Sequence, residues 1–97
     1  MAHYVIAQID IHDPDAWQAY AKVGGAAVAK HGGRLFAQSD TPIVLENTGA
    51  GAPKAVILEF PDLAAAQNWI ADPELAPVHA KRKSAAKTLI VALEGKD

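Results

Sequence analysis

The stretch Lys54–Pro61, KAVILEFP, followed at once by Asp62, decides how the rest of the chain is read. Val56, Ile57, Leu58 and Phe60 make it too apolar for a half-solvated strand, so it is read as a central one. Asp62 supplies a side-chain acceptor for the first free amides of a helix running through Ile70. Beyond it, Asp72–Pro73–Glu74 opens a second helical segment to about Lys87, with Pro77 in its first turns, and Thr88–Glu94 (TLIVALE) reads as the last strand.

Working towards the N-terminus, residues 48–53 (TGAGAP) form a loop. Its Gly-x-Gly has no helix after it and is not a phosphate loop. Ile43–Asn47 is a short third strand or the bent continuation of the second, which spans Gly33–Ser39 before a turn at Asp40–Thr41–Pro42. The segment before it begins at Asp13 as N-cap, with Pro14 in the first helical position and Asp15 at the positive end of the dipole. Trp17, Tyr20, Gly24, Ala27, Val28 and His31 recur at helical spacing, and Gly32 suits the left-handed residue just past the end. Gly24 and Gly25 are read as close packing on the sheet or a kink. Residues 3–12 (HYVIAQIDIH) open the chain as a strand, with His3, Val5, Ala7, Ile9 and Ile11 on one face and Tyr4, Ile6, Gln8 and Asp10 on the other.

Strand, helix, two strands, helix, strand is the split βαβ order of a ferredoxin-like α+β sandwich, an antiparallel sheet with both crossover helices on one side. The 97 residues make one such domain, with an extra short strand at 43–47. The uncovered side is expected to carry Tyr4, Ile6, Phe36, Val44, Ile57 and Ile90, too apolar for a soluble monomer, so a homodimer packing sheet on sheet is expected. Twenty-one alanines among the apolar residues leave few large side chains, and self-association would add burial.

Composition excludes several functions. A formal charge of −2 argues against nucleic acid and anionic membranes. The absence of cysteine excludes disulfides, thiol catalysis and iron–sulfur centres. No apolar run approaches the ~20 residues of a membrane span, and the start lacks the apolar core of a signal peptide, so a cytoplasmic location is expected. His3, His12 and His31 show no metal-ligand spacing; neither a metal nor a cofactor is expected.

The ordered set of features resembles the family catalogued as domain of unknown function 1330, in the dimeric α/β barrel superfamily. It comprises the first strand running into Asp13–Pro14, Tyr20, His31–Gly32–Gly33–Arg34, Leu45–Glu46, Val56–Pro61, Pro73–Glu74, Arg82 and Glu94–Gly95. The chain departs from that family's usual pattern at Leu75, at Gln38–Ser39–Asp40 and at Asn47. The resemblance implies the fold and a dimer; the superfamily spans cofactor-free monooxygenases, haem-degrading enzymes, isomerases and non-catalytic members.

Candidate site residues form two groups. Strand parity gathers Gln8, Asp10, Arg34, Gln38, Glu46, Glu59 and Glu94, either as ligand-binding and proton-transferring groups or as ion pairs between strands and subunits. His79 and Arg82, three apart, share a helix face, where Arg82 could clamp a carboxylate and His79 could act as acid or base. The bland reading is a basic helix end with Lys81, Lys83 and Lys87. Trp17 and Tyr20 are read as packing. The function expected is the binding of a small, carboxylate-bearing organic molecule between sheet and helices through Asp10, Arg34, Glu46, Glu59, His79 and Arg82. The alternatives are a cofactor-independent monooxygenase or isomerase, with Asp10 or His79 as base and Arg34 or Arg82 stabilising an anion, and a purely structural dimer module.

Overall fold

In a computed structural model of the chain, residues 2–49 and 54–96 are described. The elements run β1 (His3–Ile11), α1 (Pro14–Lys30), β2 (Arg34–Ser39), β3 (Lys54–Phe60), α2 (Leu63–Ala71), a short 3-10 turn (Pro73–Leu75), α3 (Ala76–Ala85) and β4 (Ala86–Glu94). The sheet order is β2-β3-β1-β4, with every neighbouring pair antiparallel. The two βαβ crossovers therefore interleave, as in a ferredoxin-like α+β fold.

The caps work as their sequences predict. Asp13 Oδ1 accepts from the Ala16 amide at 3.1 Å, and Asp62 Oδ1 from the Ala65 amide at 2.8 Å. At the end of α1 the chain turns through Gly32 (φ 77°), whose amide donates to Ala29 O at 3.0 Å. Gly33 then enters the sheet where a Cβ would sit 2.6 Å from the Phe60 ring and 2.7 Å from Val28, so only glycine fits there.

Register sets the two faces of the sheet. Val5, Ala7 and Ile9 of β1 are buried beneath the helices, opposite Leu58, Val56 and Lys54 of β3. Val5, Ala27, Val28, Leu58, Phe60, Ala66, Trp69 and Leu75 form one core cluster; Ala7, Ile9, Trp17, Ala85 and Ala86 form a second. Val56 and Ile90 pack against both.

Several expectations are corrected. Residues 43–47 form no strand: Ile43, Val44 and Leu45 are 87%, 67% and 95% exposed in an irregular segment. Among the described residues no strand pairs with them, so their apolar character alone does not make them a strand. Residues 50–53 of the expected loop lie outside those described. The segment expected from Asp72 to Lys87 breaks into the 3-10 turn and α3, and β4 begins at Ala86. Ile90 faces Ala7 beneath the helices, so the uncovered face carries Leu89, Val91 and Leu93 beside the expected Tyr4, Ile6, Phe36 and Ile57.

A bulge between Leu35 and Ala37 shifts the pairing of β2. It turns Gln38 to the helix side opposite Val56, away from Arg34 and Glu59. Glu94, opposite His3, also leaves the parity set in which the sequence placed it.

Candidate functional site

Between the helix-covered side of the sheet and α1 and α3 lies a cavity of about 560 Å³. Residues of both core clusters line it: Ala7, Ile9, Val56, Leu58 and Ile90 from the sheet, Trp17 and Val28 from α1, and Trp69 from α2. Two glycines of α1, Gly24 and Gly25, also line it. Gly24 lies under its own helix neighbour Tyr20, whose ring would be 3.0 Å from an added Cβ. At Gly25 an added Cβ would meet nothing within 4 Å.

Arg82, in the last turn of α3, is 4% exposed and lines this cavity. A guanidinium is a permanent cation, and one buried among apolar groups ordinarily has a carboxylate beside it. Among the described residues no Asp or Glu pairs with Arg82. Its NH1 donates to His79 Nδ1 at 2.7 Å, and its Nε is buried without a partner.

That contact settles the imidazole's protonation. Arginine only donates, so Nδ1 of His79 accepts, and the ring proton sits on Nε2, which donates to the Trp69 carbonyl at 2.9 Å. Burial pushes the His79 pKa below the usual imidazole value, with the Arg82 and Lys83 charges acting in the same direction against the Trp69 carbonyl and Asp72. His79 is therefore a neutral strut between α2 and Arg82. Trp69 packs its ring against Phe60 at 5.5 Å and His79 at 5.2 Å, and its Nε1 is also buried and unpartnered.

The other candidates lie elsewhere. Arg34 Nε donates to Glu59 Oε1 at 2.5 Å, and its guanidinium stacks over Phe36 at 5.2 Å, on the uncovered face. Asp10 is exposed opposite Lys87 near the end of that face, and Glu46 is exposed in the irregular segment after β2. Of the six residues, Arg82 lines the cavity with His79 hydrogen-bonded to it, and Arg34 and Glu59 meet as an ion pair across β2 and β3. Sequence reasoning missed Trp69, and it read Gly25 as close packing or a kink where nothing packs within 4 Å of its added Cβ. The apolar pattern of α2 marks Trp69 as buried, but its partnerless indole is visible only in three dimensions. Lys54, also on the cavity lining, pairs with Asp40 and lies 5.9 Å over the Trp17 ring. Among the described residues no group of His, Asp and Glu is placed to hold a metal ion, and no helix is long and apolar enough to cross a membrane.

Three solved structures illustrate what the chain is similar to. A protein of unknown function from Rhodopseudomonas palustris matches with TM-score 0.78 at 18% identity, over 99% of this chain and 83% of that one. SnoaB of Streptomyces nogalater, a cofactor-independent oxygenase, matches with TM-score 0.71 at 12% identity, over 99% and 94%. A dimeric ferredoxin-like protein of unknown function from Jannaschia sp. CCS1 matches with TM-score 0.71 at 15% identity, over 98% and 100%. At these identities the likeness is one of fold. No curated protein matches. The model of the family described as domain of unknown function (DUF1330) matches residues 2–96, and the chain belongs to that family.

Proposed function

We propose that the chain is a homodimeric binding domain that holds a small organic anion, a carboxylate in the first instance, in the cavity between sheet and helices. Arg82 is its counter-ion. The observation that carries this reading is a buried guanidinium on a residue lining the cavity, with no acid beside it among the described residues and its Nε unsatisfied. Taking such a charge out of water costs several kcal/mol unless something compensates it, and a ligand carboxylate would supply that charge. The cavity's volume of about 560 Å³ suits a small molecule.

Binding is favoured over turnover by the state of the nearest bases. Both nitrogens of His79 are engaged, and Asp10 stands on the far face of the sheet. The dimer rests on the uncovered face, where Leu89, Leu93 and Phe36 are 59%, 48% and 50% exposed. The dimeric state of the Jannaschia protein of the same fold supports it.

Thermal melts of the wild type and Arg82→Lys with a panel of small carboxylates test the site. Binders should raise the wild-type melting temperature and raise that of Arg82→Lys much less, because lysine keeps the charge but loses the planar fork. Equal shifts in both proteins for every binder overturn the role of Arg82.

A further inference from the structure

Resting on that reading of the cavity, we propose that the site selects a monocarboxylate carried on a flat ring, its two carboxylate oxygens met by different donors, Arg82 Nε and the indole Nε1 of Trp69. Both nitrogens are buried and unpartnered, on side chains 4% and 3% exposed that line the same cavity. A buried donor without an acceptor is strongly unfavourable, and two on residues lining one cavity point to an acceptor that arrives from outside. His79 ties the two donor residues together, accepting from the Arg82 side chain and donating to the Trp69 backbone, and so acts as a positioning residue for the pair.

The charge count limits the ligand to one anionic group. The other basic residues of the lining already have partners: Lys54 is paired with Asp40, and Arg34, whose guanidinium stands on the uncovered face, with Glu59. A second carboxylate, or a doubly charged phosphate, would be buried against no free cation.

The walls and the opening set the shape. Trp17 and Tyr20 form a tilted aromatic pair with centroids 4.9 Å apart, and Trp69 closes the same space, so the body of the ligand meets ring surfaces. Gly25 adds an independent indication. Glycine in mid-helix is destabilising relative to alanine, yet beyond its own stretch of helix backbone nothing lies within 4 Å of where its Cβ would stand, so close packing does not require it. The missing side chain keeps a slot open along α1 into the cavity.

Calorimetry with four probes tests this, supported by the fluorescence of the chain's two tryptophans, both on the cavity lining. The probes are naphthoate, the neutral naphthamide, naphthalene dicarboxylate and the aliphatic nonanoate. In the wild type naphthoate should bind at least ~10-fold tighter than each of the others, as expected where a site's buried donors are left unpaired by the wrong ligand. Trp69→Phe keeps a ring and removes the N–H; it should weaken naphthoate by roughly 10-fold and leave naphthamide unchanged. Gly25→Leu, which the open space above Gly25 allows to fold, should weaken naphthoate further while melting no lower than the wild type. Nonanoate or the dicarboxylate binding as tightly as naphthoate would overturn the ring and single-charge proposal. So would naphthoate binding undiminished in Trp69→Phe or Gly25→Leu. In each of those cases Arg82-dependent carboxylate binding still stands. If the wild type binds none of the three carboxylates, the reading of the cavity as an anion site falls instead.

Discussion

The two faces of the sheet treat charge in opposite ways. On the uncovered face, Arg34 lies 62% exposed and is paired with Glu59 from the neighbouring strand. On the helix-covered face, Arg82 is nearly inaccessible and has no acid beside it among the described residues. A solvated cation needs no partner, whereas a buried one does, so the face that could leave its cation unpaired has paired it and the face that could not has not. The difference makes sense if each face meets a different newcomer. A sheet packing on a second copy must bring its charges already neutralised, because polar groups buried at an interface without partners weaken it. A ligand cavity keeps a charge unspent for the ligand to meet.

The largest expected effect breaks the uncovered face. Ile57, half-buried and flanked by Ile6 and Ala37 in register, sits in its centre. Ile57→Asp would bury an unpaired carboxylate between two sheets at a penalty of several kcal/mol. Light scattering at micromolar concentration should show a dimer for the wild type and a monomer or unfolded chain for the variant. A monodisperse wild-type monomer would remove the second copy from the comparison. The next effect breaks the covered face without touching any charge. Gly33→Ala drives a Cβ to 2.6 Å from Phe60, which is fully buried, so repacking should cost about 1–3 kcal/mol. The melting temperature should fall accordingly, and an unchanged melt would mean that the core beneath α1 is looser than its contacts indicate.

These faces were only partly legible in the sequence. β1 could be read because its apolar residues alternate cleanly towards one side, and the Asp caps could be read because their chemistry is local. β4 could not, since TLIVALE is apolar on both parities and only its pairing with β1 decides that Ile90 goes under the helices and Val91 outside. The bulge at Phe36 is likewise a product of pairing, and it alone moves Gln38 across the sheet. Ile43–Leu45 has the composition of a strand, but strand formation needs an edge, and no strand among the described residues pairs with it. At the site, the i, i+3 spacing announced that His79 and Arg82 are neighbours. It could not announce that the partner of His79 is a backbone carbonyl, nor that no acid arrives at Arg82, because both depend on where α2 and the acidic loops fall in space.

A smaller effect sharpens the contrast between the two arginines. Arg82→Met removes a buried cation that no acid among the described residues compensates, at the loss of one donor to His79 Nδ1. The desolvation relieved exceeds the ~1–3 kcal/mol of one orphaned acceptor, so the ligand-free protein should melt higher, by ~1 kcal/mol, while carboxylate-induced shifts vanish. Arg34→Met breaks an exposed pair, which contributes about 0–1 kcal/mol, and should lower stability slightly and leave carboxylate shifts intact. Denaturant titration of both variants reads the two signs directly. If Arg82→Met is the more destabilised of the two, Arg82 is a structural cation with a compensating partner, and the asymmetry between the faces disappears.

The smallest effect is one of pH. In the folded chain burial holds the His79 pKa below its ordinary value of 6.5, aided by the charges of Arg82 and Lys83 and opposed by the Trp69 carbonyl and Asp72. The unfolded chain therefore takes up the proton first as pH falls. The stability contributed by neutral His79 is fully present above 6.5 and is lost progressively as pH drops from there towards the lower folded value. Protonation would also place an N–H on Nδ1, facing the Arg82 NH1 that now donates to it, so the strut between α2 and Arg82 would fail together with the site. Asp72 titrates in a separate window. Its contacts with Lys30 first, and then His31, hold its carboxyl well below the usual 3.8, so its contribution is lost only as pH falls beneath that value. Melting curves between about pH 8 and pH 5 should therefore fall more steeply for the wild type than for His79→Gln, which has no proton to gain in this window. The His31–Asp72 contact is present in both proteins and cancels in the difference. Parallel curves would mean that His79 titrates alike in the folded and unfolded chains, and the neutral strut beneath Arg82 would have to be abandoned.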